Sequence, residues 1–376
     1  MATYYWVGGS GTWNNSNTAN WSNVTGGSGG FGPPLSTDTV NFDSNSGTGT
    51  CTTAATAAAS VITINTSTLT VKLGASFTAS GTVTLTQGTL DLNNFNFLMQ
   101  RFISNNTNVR TIAFGTAEIQ ITGNNSDMWQ VQDATNLTMT GNKTVNMTYS
   151  GATGTRVFYQ ASTAGGSINT AINCKVSAGT DTVLVLTHIN NLDFTGFSGT
   201  LGGNSKTIYG NLTFSTGMTI SAAAITITFA GTSGTQQITT NGKTLDFAIT
   251  FNGIGGTFQF QDALTMGSTR AMNLTNGTLK LKAGTTNTVG SFSTSGTTTK
   301  YLASTTPGTQ ATISDASGTN SVSYLSIQDS IATGGATWQA YLTNNNANAG
   351  NNLGWDFALQ LGKYMYSRRK NKRILP

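Results

Sequence analysis

Apolar and polar residues alternate along most of this chain, in short runs that turns separate. From about residue 60 to residue 330, four to seven residues alternate before a turn of Gly, Asn, Ser or Thr follows. The clearest runs are Val61–Phe77, Ala117–Gly123, Asp181–Ile189, Lys206–Phe214, Ile225–Gly231 and Thr278–Gly284. Because successive side chains of a strand point to opposite faces, alternation places the apolar set inward and the Thr and Asn set outward. The pattern predicts many short strands and no helical domain.

Several segments of the chain resemble one another. Leu85–Leu92 matches Leu274–Leu281, and Gln130–Ala134 matches Gln259–Ala263, with a fainter copy at Ile327–Asp329. A step of Lys, Thr and an apolar residue also recurs, at Lys143–Val145, Lys206–Ile208 and Lys243–Leu245. The spacing of the copies is irregular, which coils of variable length tolerate because insertions enter the turns. We therefore predict an all-β fold, an elongated β-solenoid similar to a right-handed parallel β-helix.

Composition favours strands over both helix and disorder. Charged residues make up 8% of the chain, against about 25% in a typical globular domain. Good helix formers are scarce, and Glu118 is the only Glu. Disorder fits poorly because 37% of the residues are hydrophobic and lie in alternating runs, which a disordered chain would not need.

Positive charge is concentrated at the C-terminus. Residues 1–357 contain 12 Lys and Arg against 13 Asp and Glu, so this part is close to neutral. The remaining six basic residues lie among the last fourteen positions, which contain no acid: Lys363, Arg368, Arg369, Lys370, Lys372 and Arg373. We do not expect the body to bind nucleic acid, since that requires a basic surface, and only the tail could do so.

The ends of the predicted solenoid need caps, because only there are strand edges unpaired. Trp6, Trp13 and Trp21 lie near the start, Trp338 and Trp355 near the end, and Trp129 stands alone between them. We predict an N-terminal cap module (residues 1–50), a solenoid body (51–330), a C-terminal cap repeat (331–357) and a basic tail (358–376).

Membrane, export and metal signals are missing from the sequence. Met1–Trp13 has no basic n-region or apolar h-region, so we predict no secretory signal. No apolar stretch approaches 18 residues, so we expect no membrane span. Cys51 and Cys174 match no metal or redox spacing and are expected to be buried, reduced thiols. We predict no metal and no cofactor.

Catalytic chemistry finds little support in the sequence. His188 is the only histidine and is expected to have a packing or surface role on a strand. Glycan hydrolysis needs two carboxylates about 5–10 Å apart, which neighbouring coils could supply. Glu118 and Asp127 are the first candidates for such a pair. Three other acids belong to repeated turn motifs and are expected to bond nearby backbone: Asp133, Asp262 and Asp329.

Three parts of the chain resemble a known group of proteins. The opening, YYWVGGSGTWNNSNTANWSN followed by GGSGGFGPPLSTDTVNFDSNSGTGT, resembles the N-terminal module of β-strand-repeat proteins. Such proteins are encoded by tailed phages and also occur among bacterial autotransporter-like adhesins. The segment GKTLDFAITFNGIGGTFQFQDALTMGSTRAMNLTNGTLKLKAG is similar to their repeat units. The close, SYLSIQDSIATGGATWQAYLTNNNANAGNNLGWDF, is similar to their terminal repeat, which ends here in Gly354–Phe357.

The resemblance implies architecture more than activity, since the group is defined by repeats and not by a catalytic motif. We expect a non-enzymatic virion protein, a tail fibre, spike or capsid-decorating element, made in the host cytoplasm. Its expected partners are other virion proteins, a host-surface glycan and further copies of itself, most simply in a trimer. A bacterial adhesin or autotransporter passenger fragment is one alternative, and a tailspike polysaccharide depolymerase is another.

Two sets of residues are candidates for contacts with partners. Trp6, Trp13 and Trp21 could form a platform for glycan rings, or could pack as a cap over the first coil. The tail combines aromatic and basic residues, which suit an attachment site on an acidic surface. Its members are Tyr364, Tyr366, Arg368, Arg369, Lys370, Lys372 and Arg373.

Overall fold

The predicted β-solenoid is confirmed by a computed structural model, which describes residues 1–359. The regular structure is nearly all β, and parallel coils stack in about 14 turns. The chain forms two compact units, Met1–Ser221 and a second unit that begins at Ala222. In the part of the chain that the structure describes, no helix is long and apolar enough to cross a membrane.

The first unit contains 23 short strands. They are β1 (Thr3–Trp6), β2 (Gly11–Trp13), β3 (Trp21–Ser22), β4 (Thr39–Phe42), β5 (Gly49–Thr53), β6 (Val61–Leu73), β7 (Phe77–Thr78), β8 (Thr82–Asp91), β9 (Phe97–Met99), β10 (Arg101–Ile103), β11 (Arg110–Ala113), β12 (Glu118–Ile121), β13 (Trp129–Asp133), β14 (Leu137–Thr140), β15 (Thr144–Met147), β16 (Thr155–Ala164), β17 (Ile172–Val176), β18 (Thr182–Leu186), β19 (Ile189–Asp193), β20 (Thr200–Leu201), β21 (Lys206–Ile208), β22 (Leu212–Thr213) and β23 (Thr219–Ile220).

The second unit contains the remaining strands and one turn of 3₁₀ helix, Leu342–Asn344. The strands are β24 (Thr226–Phe229), β25 (Thr235–Thr239), β26 (Thr244–Leu245), β27 (Ala248–Phe260), β28 (Thr265–Met266), β29 (Ala271–Leu281), β30 (Thr286–Thr288), β31 (Ser291–Thr294), β32 (Lys300–Ser304), β33 (Ala311–Asp315), β34 (Thr319–Ser321), β35 (Leu325–Ile327), β36 (Ser330–Gly334), β37 (Thr337–Gln339) and β38 (Ala347–Asn348).

Inward side chains stack in columns because most strands pair in parallel with the strand one coil away, largely in register. One column in the first unit crosses β4, β6, β8, β10 and β13 and consists of Val40, Ile62, Val83, Phe102 and Trp129. All five side chains are buried. A column in the second unit crosses β24, β27, β29 and β31 and consists of Ile227, Ile249, Met272 and Phe292, also buried. The alternation read from the sequence therefore separates core from surface correctly.

Both predicted cap regions take part in coil stacking. β1 pairs in parallel with β4, and β4 with β6, while β3 folds back antiparallel on β1. Near the other end, parallel bridges join Ile331 to Leu353 and Gln339 to Asp356. The boundary between the compact units follows Ser221, inside the segment 51–330 that the sequence suggested as one body.

Candidate functional surfaces

The three N-terminal tryptophans lie in the interior. Trp6, Trp13 and Trp21 have no exposed surface. Trp21 packs edge to face against the other two, with ring centroids 5.0 Å from Trp6 and 5.2 Å from Trp13. Trp13 also lies 5.2 Å from Phe77, and all three rings lie near Phe42. These rings offer no face to a sugar, so the glycan-platform interpretation is incompatible with the structure, and packing against the first coils is what they do.

All thirteen acidic side chains accept hydrogen bonds or pair with a cation inside the chain. They are Asp38, Asp43, Asp91, Glu118, Asp127, Asp133, Asp181, Asp193, Asp246, Asp262, Asp315, Asp329 and Asp356. These carboxylates therefore already have partners that hold the coils and turns together.

The candidate pair Glu118 and Asp127 is divided between different strands and partners. Glu118 begins β12 and accepts hydrogen bonds from the amides of Gln120 and Asn146, at 2.5 Å and 3.3 Å. Asp127 precedes β13 and lies 3.4 Å from the guanidinium of Arg101. Each carboxylate has its own structural contacts, so the structure gives no support to a shared catalytic role.

The repeated turn acids act partly across coils. Asp133 accepts the backbone N–H of Thr135 at 2.8 Å, as expected for a local turn. Asp262 instead accepts the N–H of Thr240, and Asp329 that of Gly308, both more than twenty residues earlier. Local turn bonding was thus the wrong expectation for Asp262 and Asp329, because in a stacked fold the nearest backbone belongs to the neighbouring coil.

One ion pair is fully buried in the first unit. Arg156 on β16 donates from Nε and Nη2 to the two carboxylate oxygens of Asp181, at 2.8 Å and 2.7 Å. Both side chains have no exposed surface. Arg156 also donates to the carbonyl of Ala178 at 2.9 Å. The bidentate pair and the additional acceptor compensate for part of the lost hydration, while Nη1 of Arg156 is buried without a hydrogen-bond partner in the described chain. Removing either residue of the pair would leave the other charge unpaired.

Three more buried cations use backbone carbonyls. Arg110, Lys206 and Lys300 each begin a strand, with the side chain turned inward. Lys300 Nζ donates to the carbonyls two and four residues earlier, Thr298 at 2.7 Å and Gly296 at 3.1 Å. Arg110 likewise donates to the carbonyls two and four residues earlier, those of Asn108 and Asn106. Lys206 donates to the carbonyl two residues earlier, that of Asn204. Burial lowers the pKa of all three side chains, to about 8 for Lys206.

Sequence reasoning missed these cations, although a signal was present. Each one stands in phase with the buried apolar residues of its own run, as in Lys300 with Leu302 and Lys206 with Ile208. A charge at an inward position of an alternating run indicates a buried cation, and the preceding Asn, Ser, Gly or Thr turn supplies the carbonyls.

The single histidine and the two cysteines have structural surroundings. His188 lies in the turn between β18 and β19, not on a strand as expected, and its ring stacks 6.2 Å from Tyr209. Burial lowers the pKa of His188, which favours the neutral imidazole. Cys51 and Cys174 are buried and unpaired, as predicted, and burial raises the pKa of both thiols. Among residues 1–359, no group of three or more His, Cys, Asp or Glu is placed to hold a metal.

Hydroxyl side chains form columns on the outward faces. One column in the first unit crosses β5, β6, β8, β11 and β14: Thr50, Thr70, Thr89, Thr111 and Thr138. Another in the second unit crosses β26, β28, β30, β33 and β36: Thr244, Thr265, Thr288, Ser314 and Thr333. Members of a column repeat about every 4.8 Å, the spacing of paired strands. These columns are flat, uncharged, polar surfaces.

The predicted attachment residues lie outside the described part of the chain. They are Tyr364, Tyr366, Arg368, Arg369, Lys370, Lys372 and Arg373. Comparison with models of protein families, with curated proteins and with solved structures finds no match to this chain. What the protein does must therefore be inferred from its own residues.

Proposed function

We propose that this protein is a non-enzymatic structural and adhesive element of a tailed-phage particle. It would serve as a tail fibre, spike or capsid-decorating protein that presents a β-solenoid for contacts with the host surface or the particle. The likeness of residues 1–357 to phage β-strand-repeat proteins supports a place in the virion. The same likeness extends to adhesins, so a bacterial adhesin or autotransporter passenger fragment is the second candidate.

The observation that carries a non-enzymatic role is the use of the acidic side chains. All thirteen have partners within the chain, which supports a role in holding the coils and turns together over the role of the two glycan-facing carboxylates of a depolymerase. The outward faces instead present columns of hydroxyl groups. Polar faces with few charges suit repeated contacts with a neutral surface and allow copies to lie side by side with little repulsion. We propose a homotrimer, because the resemblance to phage fibres implies one and a surface of low charge permits it.

Mass spectrometry of purified particles tests the proposal. Particles released by the phage that encodes the chain should contain it at a fixed stoichiometry after gradient purification, and its copy number should be a multiple of three. Free host protein carried through the same gradient is the control. Absence of the chain from the particles would contradict the proposal, and its presence on the bacterial surface would favour the adhesin.

The basic tail, residues 358–376, is the proposed point of attachment. Five cations between Arg368 and Arg373, beside Tyr364 and Tyr366, would be attracted to an acidic partner surface, and salt would weaken the attraction. Deleting residues 358–376 should leave the solenoid folded but reduce incorporation into particles. A variant with Arg368, Arg369 and Lys370 changed to Gln tests charge alone. Unchanged incorporation of the truncated chain at low and high salt would contradict this role.

A further inference from the structure

A polar cleft of about 320 Å³ opens on the second unit, close to its C-terminal coils. The residues that line it are mostly amides: Gln310, Asn348, Gly350, Asn351, Asn352 and Leu353. The volume is at the lower end of the range for sites that hold small molecules.

Each of three amide side chains is fixed at one end and has its other end without a partner in the described chain. Asn351 donates from Nδ2 to a carboxylate oxygen of Asp329 at 2.6 Å, and its own Oδ1 accepts no hydrogen bond from the described chain. Gln310 donates from Nε2 to the carbonyl of Asn351 at 2.9 Å, which leaves Oε1. Asn348 accepts at Oδ1 from the N–H of Gly350 at 3.1 Å, which leaves Nδ2. The cleft therefore offers two acceptors and one amide donor that are already oriented.

The loop that carries these amides is held to the coil beneath it. Asn352 donates to the carbonyl of Ile327 at 2.6 Å and accepts the N–H of Ser330 at 3.0 Å. The N–H of Asp329 donates to the carbonyl of Gly350 at 3.2 Å. Asn351 adopts a left-handed conformation, with φ of 57°, which Asn tolerates better than most residues. Contacts that fix the loop before binding reduce the entropy lost when a ligand is held.

The chemistry of the lining selects one class of ligand. Sugar hydroxyls donate and accept hydrogen bonds and so match both kinds of free amide end. Leu353, 60% exposed, provides an apolar surface at the cleft for the C–H face of a ring. Among residues 1–359, no cation lines the cleft, which disfavours phosphate, sulfate or sialic acid, and the nearby carboxylate of Asp329 would repel them.

We propose that the amide cleft binds a neutral sugar unit of a surface glycan. The choice of a glycan as the source of that sugar rests on the proposed adhesive function, whereas the chemistry of the site rests on the amides alone. The expected affinity is modest, since one small site with three free polar ends can make few contacts. Repeated copies in a trimer would strengthen attachment to a polymer by multivalency.

Binding of the purified full chain to an array of neutral, sialylated and sulfated oligosaccharides tests the proposal. The strongest neutral oligosaccharide is then titrated by calorimetry against wild type and variants. Asn348→Asp keeps the acceptor that Gly350 uses but replaces the free donor by a carboxylate oxygen, and it should weaken binding tenfold or more. Leu353→Ser should weaken binding several-fold, because the exposed apolar contact is lost while the backbone bridge remains.

Matched controls change the same residue types elsewhere on the unit. Asn252→Asp keeps the oxygen that accepts from Asn276, and Ile254→Ser removes an apolar side chain that is 65% exposed. Both should bind like wild type, and circular dichroism should show that all four variants are folded. The proposal is overturned if no neutral oligosaccharide binds, if acidic glycans bind better, or if Asn348→Asp binds as well as wild type. Each of these results would contradict the sugar site alone, because the presence of the chain in purified particles tests the proposed function separately.

Discussion

Two pairs of long strands, β6 with β8 in the first unit and β27 with β29 in the second, follow one plan. β6 and β27 each have thirteen residues with an identical sequence of buried, intermediate and exposed positions. The register of each pair also breaks at an equivalent point, after Asn65 pairs with Gln87 and after Asn252 pairs with Asn276. The two regions thus place inward and outward side chains in the same order.

The side chains that fill this plan differ, and the differences compensate. We call the residues where the register breaks, 66–69 of β6 and 253–256 of β27, the corner of the strand. The first unit buries Thr66 and Leu69 there, whereas the second has Gly253 and Gly256. The flanking inward position that holds Val71 in the first unit holds Phe258 in the second. A Cβ placed on Gly253 would lie 1.9 Å from the carbonyl oxygen of Gly231 and 3.0 Å from the Phe258 ring, so the backbone of the neighbouring coil and the ring together occupy the space that glycine leaves open. The comparison shows that one inward pattern can be filled by different residues, with a larger ring in the second unit replacing part of the side-chain volume that the glycines lack.

The largest effect is expected from removing the compensating ring. Phe258→Ala should lower the free energy of unfolding by about 3 to 5 kcal/mol, because the corner glycines cannot fill the cavity. The equivalent change Val71→Ala should lower it by about 2 kcal/mol, since fewer methyl groups are lost and Leu69 remains nearby. Denaturant unfolding measures both, and hydrogen exchange followed by mass spectrometry assigns each loss to its own unit.

Equal losses for the two variants would contradict compensation at the corner. Phe258→Leu serves as the control, because it retains most of the volume and should recover more than half of the lost stability. If Phe258→Leu were as unstable as Phe258→Ala, the aromatic contact with Phe251, at 5.1 Å between centroids, would matter more than volume.

A smaller difference is expected at two glycines of the partner strands, Gly88 on β8 and Gly277 on β29, which lie opposite the corner. Gly88 and Gly277 occupy equivalent places in the repeat and have φ of 99° and 92°. A Cβ would meet the carbonyl oxygen of Thr66 at 2.0 Å in the first case and that of Gly253 at 2.6 Å in the second. Gly88→Ala should therefore destabilise the fold by about 3 kcal/mol, and Gly277→Ala by less. Gly284→Ala, with φ of 67° and open space around it, should cost only about 1 kcal/mol.

Melting temperatures of the three Gly→Ala variants rank these costs. The order expected from largest to smallest loss is Gly88, Gly277 and Gly284. If Gly284→Ala melted as low as Gly88→Ala, backbone conformation alone would explain the cost, and the close approach of neighbouring coils would contribute nothing.

Alternation in the sequence predicted the β-solenoid and the inward set of β6 and β27, but not the exchange of Leu69 for Gly256. A period of two reports which face a side chain occupies, and it does not report which coil lies above or below. The match of Leu85–Leu92 with Leu274–Leu281 identified equivalent parts of β8 and β29. The atoms that crowd Gly88 and Gly277, the carbonyl oxygens of Thr66 and Gly253, lie one coil away and more than twenty residues earlier in the chain.

The candidate sites were harder to predict than the fold. The amide cleft is lined by Gln310 from one coil and by Asn348 and Asn351 from another. In the sequence, these residues are recognisable only as members of turns. The tryptophans were noticed as possible ligand contacts, yet apolar rings in an alternating chain are drawn into the core first. Both the lining of the cleft and the burial of the tryptophans depend on which coils are neighbours. That depends on the lengths of the coils, which the irregular spacing of the repeats does not reveal.

A pH effect should distinguish the buried lysine of the first unit. Burial lowers the pKa of Lys206 to about 8, whereas a lysine in the unfolded chain titrates near about 10.4. Between these values the unfolded state binds more protons, so the free energy of unfolding should rise with pH from about 8 to about 10. Cys174, whose pKa burial raises, acts in the opposite direction above about 8.5 because its thiol ionises only on unfolding.

Lys206→Met isolates the lysine because it keeps the apolar stem and leaves the thiols in place. The stability of wild type relative to this variant should increase between pH 8 and pH 10, as measured by urea unfolding at a series of pH values. A relative stability that stays constant over this interval would show that Lys206 titrates as a solvated lysine does.

The smallest effect is expected from the outward positions of the same strands. Lys72 Nζ on β6 lies 3.9 Å from a carboxylate oxygen of Asp91 on β8, with side chains 38% and 28% exposed. The second unit has Gln259 and Lys280 at the corresponding positions and builds the same strand pair without an ion pair there. Lys72→Gln should therefore change the free energy of unfolding by less than about 1 kcal/mol, because an exposed pair gains little and is screened by salt. Lys280→Gln, at the corresponding step of the second unit, is the matched control and should change it equally little. Urea unfolding at low and high salt measures both variants. A loss above about 2 kcal/mol for Lys72→Gln alone would show that outward charge, and not only inward volume, holds the first pair together.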